Sequence, residues 1–363
     1  MTTAIVDLGA IAQNLDLVRA VAPGVEVMGV VKADAYGHGM HRVAQVLRAR
    51  GVNWLGVALP SEALALRDFG DTGPILAWLW APGNADIVRC VATGVDLGVS
   101  NSQMLHEVVA AAGITGTRAR VQLKVDTGLS RNGCPISKWS ELVAEALAAK
   151  PLVEVTAVWS HLANADLPNH PTVQEQSRLF DQACESAEAL GLDIPMRHLA
   201  NSPAALTAPN THYDLVRVGI ALYGVSPVTG LDFGLAPAMT LVSSVASVKL
   251  IDAGASVSYG GTWTATQETP IALVLGGYAD GIPRSAGNRA QVYLNGQLHP
   301  IVGRVAMDQF MVALQCPAAP GDEVVIFGQA PTANELGVAC ETIGYEIVTR
   351  IGSRVPRVYV GLP

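Results

Sequence analysis

Between residues 25 and 224 short apolar runs alternate with longer segments of helical period, and this beat constrains the fold more than any other feature of the chain. The runs fall at 25–33, 52–59, 74–80, 95–100, 120–125, 153–160, 195–200 and 215–223. Helical spacing marks 39–50, 60–69, 83–92, 101–112, 137–149 and 172–190 between them. The runs are continuously apolar, so each expects burial on both faces, as in a parallel sheet covered by helices. Eight such runs over roughly 200 residues match a TIM-like (β/α)8 barrel in number and length. An open doubly wound sheet is the other architecture that this alternation permits. The last of these helices should open at Pro171 and Thr172, with Glu175 as the capping-box partner.

After Gly234 the rhythm changes to short strands at 240–250, 271–275, 291–294, 300–305, 311–314 and 323–328. Turn clusters separate them, and Asn295-Gly296 after Val292-Tyr293-Leu294 is a strong hairpin signal. One helix is expected near 332–341. A chain of 363 residues exceeds what one core usually supports. The expected organisation is therefore α/β: a (β/α)8 barrel over residues 1–234 and a mostly β domain over 235–363. A net charge of −8 without any Lys/Arg block argues against a nucleic-acid partner. Five cysteines with no C-x-x-C pair suggest neither a disulfide framework nor a zinc site, and His38 and His41 lack partners at ligand spacing, so no metal is expected. No basic region precedes an apolar stretch at the N-terminus, and no apolar run reaches spanning length. The expectation is a cytoplasmic protein without a membrane partner.

Barrel chemistry gathers at the C-terminal ends of strands. The first predicted run ends in Val31-Lys32-Ala33-Asp34-Ala35-Tyr36-Gly37-His38-Gly39, which presents a lysine and a tyrosine before a tight turn. A lysine shielded on its strand side loses some preference for its charged form and becomes a competent nucleophile. On this stretch alone a snorkelling lysine is an equal reading. Other strand ends carry Lys124 through Arg131, His161, Asn201-Ser202 and Arg217-Val218-Gly219-Ile220. Each alone has a structural explanation, but a Lys, two Arg and a His converging on one mouth cost desolvation that stability does not require. Ser202 ahead of a short helix and the backbone of Gly219-Ile220 form an anion cradle of the kind late barrel loops provide. A nucleophilic lysine, a phosphate cradle and an arginine together suit pyridoxal 5′-phosphate, held by the lysine as a Schiff base.

These residues resemble the motifs of the bacterial alanine racemase family. Val31 to Gly39 looks like its cofactor-lysine signature, and Lys124-Val125-Asp126-Thr127-Gly128-Leu129-Ser130-Arg131, Ser160-His161, Asn201-Ser202 and Arg217 to Gly224 match further blocks in order. Ser258-Tyr259-Gly260-Gly261, Gly277-Tyr278-Ala279-Asp280-Gly281, Gly303 to Asp308 and Arg354-Val355-Pro356-Arg357 continue the match through the second domain. One departure is Gly128-Leu129-Ser130-Arg131, where many members have Gly-Met-Gly-Arg; it is expected to tune the loop and leave the chemistry alone.

The resemblance implies interconversion of L- and D-alanine on pyridoxal phosphate by two opposed bases, supplying D-alanine for peptidoglycan. Lys32 would serve one face, that of the D-enantiomer's proton, and Tyr259 the other. A tyrosine base must reach its phenolate, and the resemblance directs His161 towards Tyr259 with Arg217 behind it. Arg217 would face the pyridine nitrogen, and a guanidinium gives up no proton readily, so the ring becomes a weaker electron sink. Arg131 would contact the cofactor's phenolic oxygen and the substrate carboxylate, steadied by a carbamylated Lys124. Tyr36, Ser202, Gly219, Ile220 and Tyr345 carry over as phosphate contacts, with His161 and Asn201 beside the cofactor. Met307 would donate its backbone N–H to the substrate carboxylate, and Tyr278 with Tyr345 would narrow the entrance. In this family the β domain that completes a site belongs to the other subunit of a head-to-tail homodimer.

Rival readings are weaker. A decarboxylase of the same barrel-plus-β type would place a carboxylate where Arg217 stands and would need a cysteine motif that Cys316 and Cys340 lack. A barrel that only binds pyridoxal phosphate has no second domain, and a cofactor-free Schiff-base aldolase has no use for the cradle or for Tyr259.

Overall fold

Apolar runs that bury both faces find that burial in a ring of strands. In the structure, a computed structural model that describes residues 1–361, eight parallel strands follow one another around the ring. Their order is Leu215–Val218, Glu26–Val30, Trp54–Val57, Ile75–Ala77, Asp96–Val99, Ala119–Asp126, Val153–Trp159 and Arg197–His198. Registers such as Met28↔Trp54, Leu97↔Val121 and Trp159↔His198 are parallel throughout. The outer strands meet through Arg217 N donating to Ala200 O (3.0 Å) and Asp214 N donating to Arg197 O (3.1 Å), which brings the ring to near closure. The fold is therefore the TIM-like barrel of the sequence pattern and not an open sheet. Its helices cover the ring through apolar stripes: Met40–Ala49 buries Met40, Val43, Ala44 and Leu47 at i, i+3, i+4 and i+7.

Several local expectations change. The run at 215–223 stops being a strand at Val218, because Gly219 (φ −115°, ψ −89°) leaves the extended region and Ile220–Tyr223 forms a 3₁₀ turn. The helix Pro171–Ala189 is capped by the His170 side chain, which accepts from Thr172 N, while Glu175 pairs with Arg178 (2.9 Å). No element was expected before residue 25, yet Thr3–Asp7 is a strand and Leu8–Val21 a helix whose N-cap Asp7 accepts from Ala10 N (3.1 Å).

That first strand lies in the second sheet, antiparallel to Met239–Ile251 and parallel to Arg357–Val360. The sheet runs Thr269–Leu275, Gln309–Ala313, Gln297–Val302, Gln291–Leu294, Glu323–Phe327, Met239–Ile251, Thr3–Asp7 and Arg357–Val360. The Asn295-Gly296 hairpin forms as its dipeptide predicts, with Leu294 opposite Gln297 and both turn residues at positive φ (47° and 90°). Buried Asn14 ties the two parts together: its Nδ2 donates to Leu222 O (3.0 Å) and Ala236 O (2.8 Å), and its Oδ1 accepts from Ala236 N (2.8 Å). Helices Ala333–Ala339 and Gly344–Thr349 follow; the first was expected, the second was not. Among the described residues no helix is long and apolar enough to cross a membrane. Leu362 and Pro363, the end of the expected second domain, lie outside the described residues.

Candidate active site

The first barrel strand ends at Val30, and the chain then makes a left-handed turn. Ala33, Asp34, Ala35 and Tyr36 all have φ between 52° and 54°, and Gly37 and Gly39 follow at 82° and 95°. Four L-residues in this region cost roughly 1–2 kcal/mol each, so the surroundings have to hold them there. They do so from several sides. Glu62 accepts from Ala33 N (2.6 Å) with one oxygen and from Ala58 N and Leu59 N (2.9 and 3.0 Å) with the other. Asp34 accepts from Met40 N (2.7 Å), and Arg357 donates to Gly37 O (3.0 Å). A Cβ on Gly37 would stand 2.5 Å from Val348 O, so the second domain's helix rests directly on the turn. The turn aims Lys32 and Tyr36 into one cavity of about 270 Å³.

Four cationic side chains line that cavity: Lys32, Lys124, Arg131 and Arg217. Among the described residues none of the lining side chains is a carboxylate. Burial and the nearby Arg131 lower the pKa of Lys32, while Glu62 opposes them. Lys124 is pulled down from 10.5 to about 7, by burial first and then by Arg217 and Arg131. Arg217 is fully enclosed, and burial alone brings it down to about 9. His161 is held well below its usual range by burial and by Arg217, so it is a neutral ring. With Lys124 and Arg217 buried and Lys32 and Arg131 nearer the opening, the assembly is a cationic chamber in want of an anion.

Arg217 is anchored by its two terminal nitrogens. Nη2 donates to Ser160 O (2.9 Å), Leu199 O (3.1 Å) and His161 Nδ1 (3.1 Å), and Nη1 donates to His198 O (3.2 Å) and His198 Nδ1 (3.1 Å). Among the described residues Nε of Arg217 donates to nothing. Trp159 forms a floor beneath the charges, with Lys124 Nζ 4.3 Å and Arg217 Cζ 4.9 Å from its ring centroid. Among the described residues its buried Nε1 has no partner. On the other wall, Ser202 Oγ accepts from Gly219 N (3.0 Å), and Asn201 caps the short helix Ser202–Thr207. A Cβ on Gly219 would lie 2.4 Å from the Tyr36 hydroxyl, so only glycine lets Tyr36 reach this wall. Ile220 is buried directly behind it. Arg131 follows a loop shaped by Asp126, which accepts from Gly128 N (2.9 Å) and Ser130 N (3.1 Å). Ser130 sits at φ 55°.

Tyr345 comes from the second domain and lies on the border with a wider cavity of about 640 Å³, which shares Arg131, His161 and Asn201 and extends to Asp166 and Ile343. Tyr259, Tyr278 and Met307 are not part of either cavity. They cluster elsewhere on the second domain, 71%, 41% and 52% exposed. Tyr278 N donates to Ala306 O (3.0 Å), Ala279 N donates to Met307 O (3.0 Å), and Ser258 Oγ donates to Arg304 O (2.7 Å), so their loops share one surface. Sequence reasoning missed Trp78, Trp159 and His198. The two tryptophans stand near the ends of predicted runs, a position that marks them as cavity-facing.

The chain matches the family descriptions "Alanine racemase, N-terminal domain" over residues 6–227 and "Alanine racemase, C-terminal domain" over 238–359. It is 49% identical to an alanine racemase of Salinispora arenicola, an alignment covering 98% of this chain and 97% of that one. A crystal structure of alanine racemase from D-cycloserine-producing Streptomyces lavendulae superposes with a TM-score of 0.98 at 49% identity, over 100% of this chain and 97% of that one. That of alanine racemase from Bacillus anthracis with bound L-Ala-P does so at 0.92 and 34% identity, over 99% and 96%.

Proposed function

The chain belongs to the alanine racemase family, and from that premise we propose that it interconverts L- and D-alanine with pyridoxal 5′-phosphate, using Lys32 and Tyr259 as opposed bases. The observation that carries the reading is the cationic chamber around Lys32, among the described residues free of lining carboxylates and lined by Tyr36, Ser202 and Tyr345. A phosphorylated aldehyde fits such a donor set: a phosphate for the hydroxyls and the Ile220 N–H, with the Gly219 N–H, which donates to Ser202 Oγ here, turning to it on binding, and an aldehyde for the lysine. When bound, the cofactor supplies the electron sink that makes the Cα proton of alanine removable.

The chain's own groups divide the remaining work. Lys32, lowered in pKa by burial, would hold the cofactor and would serve as the base that moves the proton on one face of the substrate. Arg217, fixed at both Nη ends, would present its remaining N–H to the ring nitrogen without yielding a proton. Arg131 would orient the substrate carboxylate, with Met307 N–H as a second donor. Lys124 has the neutral fraction needed to add carbon dioxide and release a proton, and the resulting carbamate would give Arg131 a negative partner. His161 and Asn201 would border the cofactor, and Tyr278 with Tyr345 would limit the side chain admitted.

Tyr259 serves the opposite face from a second copy. The proposed unit is a head-to-tail homodimer in which residues 1–234 bind cofactor and 235–363 complete the partner subunit's site. A cytoplasmic enzyme supplying D-alanine for peptidoglycan is the role that fits. The test is D-alanine formation from L-alanine by purified protein with added pyridoxal phosphate, together with borohydride trapping of the cofactor on Lys32. Absence of both would overturn the reading.

A further inference from the structure

Barrels of this kind usually fill their interior with layers of Val, Ile and Leu. Here an apolar cluster of Met28, Leu76, Trp159 and Leu215 shares the ring with buried polar groups. Asp96, Gln122 and His198 are each 0% exposed, and with Arg217 they form an unbroken polar file leading from the cavity into the ring. Arg217 Nη1 donates to His198 Nδ1 (3.1 Å), His198 Nε2 lies 2.9 Å from Gln122 Oε1, and Gln122 Nε2 donates to Asp96 Oδ2 (3.2 Å). Asp96 also accepts from Arg120 Nε (2.7 Å) and from the Thr156 hydroxyl. The four members of the file sit on four different barrel strands.

Proton accounting leaves one arrangement. A guanidinium only donates, so His198 Nδ1 carries no proton and Nε2–H donates to the Gln122 carbonyl. The Gln122 amide group then points at Asp96, whose carboxyl is pushed up in pKa by burial and drawn back towards its charged form by Arg120, and which accepts from Arg120 Nε and Gln122 Nε2. A reversed amide would face oxygen against oxygen at one end and N–H against N–H at the other. The imidazole tautomer is thus set from both ends, by the bare Nδ1 that Arg217 requires and by the Gln122 carbonyl that takes the Nε2 proton, with Asp96 orienting the amide. Trp159 holds the ring plane, stacked on His198 at 5.5 Å and 8°. Burying a carboxylate, an amide and an imidazole for stability alone is a poor exchange for aliphatic packing.

We propose that Asp96 and Gln122 are positioning residues for Arg217, acting through His198 to hold the guanidinium in the orientation the reaction requires. The inference rests on the function proposed above for Arg217, but the file itself is a property of the cofactor-free chain. Its test uses the full-length protein and the variants Asp96→Asn, which replaces one oxygen, and Gln122→Met, which keeps the shape and removes both hydrogen bonds. Imidazole nitrogen NMR, assigned with His198→Gln, should find His198 purely as the Nε2–H tautomer in the parent and as a mixture in both variants, before any cofactor is added. After loading, kcat should fall about fivefold to tenfold, the order of one lost hydrogen bond, with KM for alanine little changed and transamination rising relative to racemisation. An unaltered tautomer in folded Asp96→Asn, or an altered tautomer with kcat and partitioning intact, would overturn the proposal. A parent that shows the tautomer but no racemisation would instead count against the proposed function.

Discussion

The barrel mouth and the Tyr259 surface of the second domain are built on opposite principles. At the mouth, Lys32 sits in a strained turn held by Glu62, Asp34 and Arg357, and Arg217 is buried with five hydrogen bonds. On the other surface, Tyr259, Tyr278 and Met307 stand largely in solvent. The same domain does both jobs, since its helix Gly344–Thr349 carries Tyr345 into the mouth of its own barrel. A residue that orders a cofactor can be finished within one chain. Under the proposed function, the exposed aromatics of the rim would be completed by a second copy.

The largest effect should come from the mouth. Lys32→Ala is expected to abolish racemisation, by about 10³-fold or more, because it removes a base and a covalent anchor together. It should also abolish borohydride-stable attachment of the cofactor. Attachment at another lysine with activity retained would show that the turn does not present the working amine.

Tyr259→Phe should cost about 10²–10⁴-fold in kcat, the range for one proton-transfer group, while the cofactor still attaches at Lys32. Co-expressed Lys32→Ala and Tyr259→Phe chains then sharpen the contrast between the two regions. About a quarter of parental activity should return, since half the dimers are mixed and one of their two sites is intact. No return would mean that both halves of a site come from one chain.

The two regions also differ in how they could be read from the chain. Lys32, Lys124, His161 and Arg217 were legible because polar residues at the ends of continuous apolar runs have few structural reasons to be there. Tyr259 enters the reading only through resemblance, as nothing in its local pattern sets it apart from a surface tyrosine. The left-handed course of Ala33 to Tyr36 was not legible at all: Gly37 and Gly39 announce a turn, but its hand is imposed by Glu62 and the second domain, both distant in sequence. The strand Thr3–Asp7 was missed because its alternation spans five residues and one of its partners lies at the other end of the chain. Gln122 and Asp96 were missed because a polar residue inside an apolar run looks like a break in the pattern when its partners are on other strands.

Smaller effects probe the cradle. Gly219→Ala would force the Tyr36 hydroxyl off its wall, since the added Cβ lands 2.4 Å from it. Cofactor affinity should fall about tenfold, the order of one or two weakened phosphate contacts. The covalent link at Lys32 should survive, and titration of the cofactor-free chain by absorbance reads both. Unchanged affinity would remove Tyr36 from the phosphate site.

The smallest effect concerns the charge buried at Lys124. With its pKa brought from 10.5 to about 7, the folded chain holds fewer protons there than the unfolded chain between those values. Stability therefore rises with pH across that window, and the desolvation penalty is full below about pH 7. Lys124→Met, which keeps the bulk and drops the charge, should raise the unfolding temperature by a few degrees at about pH 6 in buffer free of carbon dioxide, and by less at about pH 9. An equal gain at both values would mean that the ammonium is not desolvated. Labelled bicarbonate extends the same experiment to the parent: a carbamate carbon resonance that Lys124→Met lacks would show that the amine freed by burial is consumed by carbon dioxide, so that the mouth carries three cations and one anion.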